Sequence, residues 1–219
     1  MNFSAREIVF SHTALPKGEV RVYQDVSSKT REDVLDKVAD ATACYVWDAA
    51  PRMARWLCSN PQMVAGKSIV ELGAGVGLPG IVSAQIGAKS VTLTDKPNEL
   101  RLLRENSSAA GVDCMVKPCT WADKDDMAAL GTFDVVLCSD LLYDVDAQDA
   151  QVALCDTIKG LCREGGTVYL VYHFRENMAL LMPFMEGMSA RFDSTAHDSE
   201  ALDIDSEYWL MEYSCKGLV

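Results

Sequence analysis

Four glycines follow a short apolar run and could let the backbone lie directly against a ligand. The run begins at Ile69, carries the acid Glu71, and then breaks into glycines at positions 73, 75, 77 and 80. Glycine reaches backbone conformations that other residues avoid, and it has no side chain to collide with a bulky group. A buried strand ending in such a turn is typical of a nucleotide-like cofactor site. We therefore expect Gly73, Gly75 and Gly77 to bind a cofactor.

A second acid, Asp95, indicates that this ligand contains a ribose. Asp95 follows Gly73 by 22 residues, near the offset of about 20 at which an acid accepts hydrogen bonds from ribose hydroxyls. A dinucleotide fingerprint would have glycine in place of Leu78, and the bulky Leu78-Pro79 pair does not suit a bound diphosphate. The spacing therefore favours S-adenosylmethionine over a dinucleotide. Asp95 could also cap a following helix, and the two roles are compatible.

The segment from Ser139 to Tyr143 offers groups that could hold and orient a nucleophile. Asp140 could accept a hydrogen bond from an amine, and the ring of Tyr143 could hold the cationic form of that amine. In the alternative interpretation, Asp140 caps the next helix and Tyr143 packs beneath it. Position alone leaves both open. His173 is a lone histidine after a later strand and a second-rank candidate.

Alternating strand and helix patterns predict the elements that position these residues. Strands are predicted at 69–72, 90–94, 114–116, 133–138 and 167–172, and alternation predicts a half-buried strand at 20–26. Helices are predicted at 78–87 and 147–162, within 42–58 before Asn60-Pro61, and from Pro97 to Gly111. Two tail segments, 190–196 and 208–214, could pair as an antiparallel hairpin. The pattern predicts an α/β fold with a parallel sheet and an appended hairpin. Ligands of such sheets bind beyond the carboxyl ends of the strands.

Length and composition favour one domain over residues 1–219, with an N-terminal accessory hairpin in 1–40 and a catalytic core in 41–219. No apolar run approaches the roughly 20 residues that cross a bilayer. The first residues lack the pattern of a secretory signal. We expect a cytoplasmic protein, with the nucleus also possible, that is a monomer.

Charge and cysteine usage narrow the partners. The net charge of −12 argues against nucleic acid, whose binders carry a basic surface. Seven acids between 193 and 212 form either a solvated loop or a surface that attracts a basic protein substrate. Eight scattered cysteines, without a Cys-x-x-Cys pair, predict free thiols and no metal site.

Taken together, five segments resemble the seven-β-strand protein lysine methyltransferases, also called methyltransferase family 16. The resemblance extends from about residue 42 to residue 172. Its segments are Val46-Trp47-Asp48-Ala49-Ala50, the glycine run from Glu71 to Leu78, Thr94-Asp95, Cys119-Thr120-Trp121 and Asp140-Leu141-Leu142-Tyr143. It implies a Rossmann-like, seven-stranded, mostly parallel sheet with helices on both faces and an antiparallel C-terminal hairpin.

The resemblance also implies the activity and the roles of the site residues. The activity would be methyl transfer from S-adenosylmethionine to the side-chain amine of a lysine in a protein, leaving S-adenosylhomocysteine. A small amine or a protein histidine could instead be the acceptor, and a non-catalytic binding module is the further alternative. The implied cofactor residues are Trp47 at the methionine end, Glu71 and Gly73 at the amino-acid moiety, Asp95 at the ribose, Trp121 beside the adenine and Ser139 lining the pocket. The implied catalytic residues are Asp140 and Tyr143.

Overall fold

The computed structural model describes residues 5–25, 43–142, 148–174, 178–197 and 207–215. The strands are β1 Ala5–Ser11, β2 Glu19–Asp25, β3 Ser68–Leu72, β4 Ser90–Asp95, β5 Cys114–Pro118, β6 Phe133–Ser139, β7 Cys162–His173, β8 Phe192–His197 and β9 Tyr208–Cys215. The helices are α1 Ala49–Ser59, α2 Leu78–Gln85, α3 Leu100–Ala109, α4 Lys124–Leu130, α5 Gln148–Leu161 and α6 Met178–Ser189.

Seven strands form one sheet in the order β5-β4-β3-β6-β7-β9-β8. Strands β3 to β7 are parallel, whereas β9 is antiparallel to both of its neighbours. The central strands read as apolar runs because both of their faces are covered, and Ile69, Val70 and Leu72 of β3 are completely buried. The predicted fold, including the antiparallel C-terminal pair, is confirmed.

Two hydrophobic clusters cover the two faces of this sheet. The first contains residues from α1, α2 and α3, among them Met53, Ile81 and Leu103. The second contains residues from α5 and α6, among them Ile158 and Phe184. Within the described residues, no helix is both long and apolar enough to cross a membrane.

A separate antiparallel hairpin, β1–β2, packs at the side of the first cluster. Its strands pair from Ala5 opposite Asp25 to Ser11 opposite Glu19. Val20 and Val22 of β2 are buried in the first cluster, and Arg21 between them is exposed. This alternation is the pattern that predicted a half-buried strand here.

Two helices lie where the sequence patterns predicted no element. Helix α4 is a short helix capped by Asp123, whose Oδ1 accepts hydrogen bonds from the N–H groups of Asp125 and Asp126 at 3.0 and 2.9 Å. Helix α6 contains Pro183, a residue that normally argues against a helix interior. Strand β7 also begins at Cys162, where the prediction had the preceding helix still running.

Candidate active site

The glycine loop leaves β3 in a conformation that side chains rarely adopt. Gly73, Gly75 and Gly77 have φ values of +54°, +55° and +84°, and Gly77 is the N-cap of α2. A Cβ added to Gly75 would lie 3.2 Å from the carbonyl oxygen of Ala43. The loop backbone is therefore both left-handed and closely packed, so glycine is required for two independent reasons.

Asp95 is bonded directly to this loop at the end of β4. The N–H of Gly75 donates to its Oδ2 and the N–H of Lys96 to its Oδ1, both at 2.8 Å. Burial raises the pKa of the Asp95 carboxyl, and the two N–H donors act in the opposite direction. The prediction that Asp95 contacts a ribose is untested, but the structure brings its carboxylate to the glycine turn.

Glu71 lies beneath the loop with no exposed surface. Its Oε2 accepts a hydrogen bond from the N–H of Gly80 at 2.8 Å, in the first turn of α2. Among the described residues, its Oε1 has no hydrogen-bond partner. Burial raises the pKa of Glu71 to about 8, and the charge of Asp95 adds to that rise. Glu71 therefore supports the loop from below, while a contact with the cofactor stays a prediction.

The segment that carries Trp47 lies on the other side of the loop. The backbone of Ala43 faces Gly75, and the carbonyl oxygen of Trp47 accepts a hydrogen bond from the N–H of Ala50 at 2.9 Å, at the start of α1. The half-buried indole of Trp47 lies 6.4 Å from the ring of Tyr45, measured between ring centroids. The segment that carries Trp47 thus lies beside the loop, and the contact of Trp47 with the cofactor stays a prediction.

Trp121 reaches the same region from the end of β5. The N–H of Cys119 donates to the carbonyl oxygen of Asp95 at 2.9 Å, which fixes this segment beside β4. The N–H of Ala122 donates to Oγ1 of Thr157 at 2.7 Å. Trp121, between these two anchors, is half-buried and packs against the second cluster. Its position allows the predicted adenine contact without showing it.

The predicted acceptor motif leaves the sheet directly beside the glycine loop. Ser139 ends β6, and Asp140 follows in a left-handed conformation, φ +54°, with its N–H bonded to the carbonyl oxygen of Val171 at 2.9 Å. The buried side chain of Leu141 occupies the space next to Gly73, where an added Cβ would lie 2.6 Å from its Cδ2. The other predicted catalytic residue, Tyr143, lies outside the described residues.

His173 packs into an aromatic group at the carboxyl end of β7, the edge of the sheet where Asp140 also lies. Its ring is stacked on Tyr208 with centroids 4.5 Å apart, and its Nε2 lies 3.6 Å from Oε2 of Glu207. The guanidinium carbon of Arg52 lies 3.9 Å from the centroid of the Tyr208 ring. These contacts are typical of a structural role, and a role of His173 in the site stays a prediction.

The structure therefore brings the predicted residues together at the carboxyl ends of β3, β4, β5 and β6. The residues that it places there are Glu71, Gly73, Gly75, Gly77, Asp95, Trp121, Ser139 and Asp140, with Trp47 across the loop. The sequence patterns did not identify Gln24 or Asn106, which shape this region from outside the motifs. They also assigned no role to Leu141, which lies inside the motif from Asp140 to Tyr143. Among the described residues there is no cluster of three metal-ligating side chains, and all eight cysteines are free thiols.

Known proteins with this arrangement identify the family. A family model described as lysine methyltransferase matches residues 28–190. The chain belongs to the lysine methyltransferase family. The matched region contains every candidate residue of the site and excludes the hairpin β1–β2 and strands β8 and β9.

Individual relatives differ in the side chain that they are named for. The chain is 35% identical to mouse protein N-lysine methyltransferase METTL21A over 138 residues, covering 61% of this chain and 62% of that protein. It is 35% identical to human histone-arginine methyltransferase METTL23 over 105 residues, covering 46% of this chain and 55% of that protein. The chain thus spans about six tenths or less of the length of these curated relatives.

A solved structure supports the fold at low sequence identity. The T. thermophilus 16S rRNA N2 G1207 methyltransferase (RsmC), in complex with AdoMet and guanosine, matches with a TM-score of 0.62 and 17% identity. The match covers 97% of this chain and 51% of that chain. The sheet and its helices therefore form a methyltransferase fold.

Proposed function

We propose that the protein is an S-adenosylmethionine-dependent methyltransferase that acts on the side-chain amine of a lysine in a protein substrate. The observation that carries this proposal is the contact between the two motifs, in which Leu141, next to Asp140, lies against Gly73. A cofactor on the glycine loop would lie beside the acceptor segment. Methyl transfer requires this proximity, because the reacting atoms must align at about 3 to 3.5 Å.

The residues present fit this cofactor. The carboxylate of Asp95 retains lone pairs for ribose hydroxyls next to its two N–H donors. The buried Oε1 of Glu71 has no hydrogen-bond partner among the described residues. When bound, S-adenosylmethionine supplies a methyl group on a cationic sulfur. Trp47, Trp121 and Ser139 would complete its pocket.

Asp140 would orient the lysine amine instead of acting as a strong base. Neutralising an amine with a pKa of about 10.4 at about pH 7 costs roughly 4.6 kcal/mol. Desolvation in the pocket lowers that pKa, whereas an adjacent carboxylate raises it. The carboxylate of Asp140 can therefore accept a hydrogen bond from the amine and fix its direction, while exclusion of water favours the neutral form. Tyr143 would hold the ammonium before its proton is lost.

Charge supports a basic, lysine-presenting protein as the substrate. The chain has a net charge of −12, and Glu207, at the same edge of the sheet as Asp140, is exposed. An acidic surface speeds the association of a cationic partner and disfavours nucleic acid.

A reducing compartment, the cytoplasm, is consistent with the eight free thiols. We further propose that the protein acts as a monomer.

Arginine is a second candidate acceptor, because one relative is named for histone arginine. A guanidinium has a pKa above about 12, so it keeps its proton more firmly than lysine and presents two parallel N–H donors. Its recognition would favour carboxylates placed for bidentate contact. The family description and METTL21A favour lysine.

A methyl-labelling experiment tests the proposal. Lysates are incubated with the purified chain and S-adenosylmethionine labelled in its methyl group, in parallel with an Asp140→Asn variant. We expect a discrete labelled protein with the wild type and none with the variant, and mass spectrometry then distinguishes methyllysine from methylarginine. Label only in small molecules would refute a protein substrate. Failure to bind S-adenosylmethionine or S-adenosylhomocysteine in calorimetry would refute the enzyme itself.

A further inference from the structure

Asn106 of α3 connects the hairpin β1–β2 to the glycine loop. Its Oδ1 accepts from the N–H of Tyr23 at 2.8 Å, and its Nδ2 donates to the carbonyl oxygens of Tyr23 and Val76, both at 3.0 Å. The side chain is completely buried. The side chain of Asn106 therefore pairs with the N–H and the carbonyl group of Tyr23, as the backbone of a neighbouring strand would. Its amide also holds Val76, the loop residue before Gly77.

Gln24, the next residue of β2, connects the same hairpin to the opposite side of the loop. Its Oε1 accepts a hydrogen bond from the N–H of Val46 at 3.1 Å, and its side chain is 8% exposed. Val46 directly precedes Trp47, in the segment whose Ala43 backbone faces Gly75. The hydrogen bond therefore fixes the tryptophan segment relative to the hairpin.

Two consecutive residues of β2 thus reach two separate walls of the cofactor pocket. Tyr23 reaches Val76 through Asn106, and Gln24 reaches Val46 directly. The hairpin itself is anchored independently, because Phe10, Val20 and Val22 are buried in the first hydrophobic cluster. Removing one partner of a buried hydrogen bond leaves the other polar group unsatisfied, which costs free energy. Each of these bonds therefore favours a single position of the backbone segment that it holds.

We infer that Gln24 and Asn106 are positioning residues for the cofactor pocket, and that the hairpin β1–β2 sets the distance between the glycine loop and the tryptophan segment. Each side chain acts through the backbone that it holds, namely Val46 for Gln24 and Val76 for Asn106. This inference rests on the proposed function for the identity of the ligand, while the position of the two walls is a property of the chain alone. The buried face of the hairpin, which carries Gln24, is then part of the binding machinery and not an accessory extension.

A matched pair of variants at Gln24 tests the inference. Gln24→Leu keeps the size of the side chain but removes the acceptor of the Val46 N–H, whereas Gln24→Glu restores an acceptor. We expect Gln24→Leu to raise the Kd for S-adenosylhomocysteine about tenfold, the factor for one lost hydrogen bond, with kcat nearly unchanged. Gln24→Glu should recover most of that affinity. Asn106→Asp, which loses both donors, should weaken binding at least as much.

Arg21→Ala is the control for general loosening of the hairpin. Arg21 forms exposed ion pairs with Glu7 and Glu19 on the same strands and contacts neither wall. This variant should leave the Kd within about twofold of the wild type, because exposed ion pairs contribute little to stability. If Arg21→Ala and Gln24→Leu weakened cofactor binding equally, the inference would be overturned. Any disturbance of the hairpin would then be enough to weaken binding, with no specific role for Gln24.

Hydrogen exchange of the ligand-free protein gives a readout that does not depend on the cofactor. Gln24→Leu should speed amide exchange in segment 43–48 while Arg21→Ala leaves it unchanged. Unchanged exchange in a folded Gln24→Leu protein would refute the positioning role. If the wild type binds no S-adenosylmethionine or S-adenosylhomocysteine but exchange responds as expected, the proposed function fails and the connection between hairpin and pocket stands.

Discussion

Replacing Glu71 with glutamine tests how the glycine loop is supported from below. In the folded chain this acid is buried, accepts the N–H of Gly80 and holds its proton up to about pH 8. In the unfolded chain it releases the proton near its usual value of 4.5. Glutamine resembles the protonated acid, because it keeps one acceptor oxygen and carries no charge.

The size of the effect follows from proton linkage. Between the two pKa values the folded state binds one more proton than the unfolded state, so the free energy of unfolding falls as pH rises. The slope is about 1.4 kcal/mol per pH unit, and it flattens as pH approaches the folded pKa of Glu71. From about pH 6 to about pH 8 the wild type should lose about 2 kcal/mol through this group. Glu71→Gln should lose none of it.

Urea unfolding of both proteins at about pH 6, 7 and 8 measures this difference. All other titrating groups are shared, so the difference between the two pH dependences isolates Glu71. Parallel curves for wild type and variant would refute a raised pKa at this site.

Calorimetry with S-adenosylmethionine then tests the predicted contact with the amino-acid moiety. Unchanged affinity in Glu71→Gln would leave the acid with a structural role only, whereas a large loss would support direct recognition.

Three further substitutions test the remaining parts of the site. Asp140→Ala should abolish methyl transfer and leave cofactor affinity nearly intact. Asp140→Asn is the better-tolerated companion variant, because asparagine adopts the left-handed conformation of Asp140, φ +54°, more readily than alanine does. Normal turnover in either variant would refute the catalytic assignment of Asp140. Asp95→Ala should weaken S-adenosylmethionine binding about 10- to 100-fold in calorimetry, consistent with lost hydrogen bonds to a charged group, and full affinity would contradict a ribose contact. Gly73→Ala should lower the melting temperature and impair transfer because its Cβ would meet Leu141; the double variant with Leu141→Ala should regain part of the stability, and strictly additive losses would show that the two positions are not coupled.

The sequence predicted the sheet because its strands are local patterns. The apolar runs in β3, β4, β6 and β7 lie where both faces of the sheet are covered, and such runs are visible in the chain itself. Asp123 is a readable N-cap signal for α4, but the helix is only seven residues long and has no clear apolar periodicity. Helix α6 offered no such signal, because Pro183 argues against a helix interior. The helix forms nevertheless, since its packing against α5 in the second cluster outweighs that preference.

The parts of the site that the sequence did not predict depend on contacts between distant residues. Asn106 bonds to Tyr23 across 83 positions, and Gln24 bonds to Val46 across 22. A single buried asparagine or glutamine forms no periodic pattern in the sequence, so its hydrogen-bond partner cannot be predicted from the sequence. The order of strands β9 and β8 at the edge is likewise a property of assembly, since either tail strand could have paired with β7.

The same sheet register explains why two motifs far apart in the chain form one site. Leu72 of β3 pairs with Cys138 of β6 in the parallel ladder. Gly73 therefore leaves β3 beside Ser139, the last residue of β6, and the turn at Asp140 brings Leu141 against Gly73. The distance between the cofactor loop and the acceptor segment is consequently set by β3 and β6, two buried central strands. A methyltransferase gains from this arrangement, because alignment of donor and acceptor contributes more to its rate than any covalent assistance by the protein.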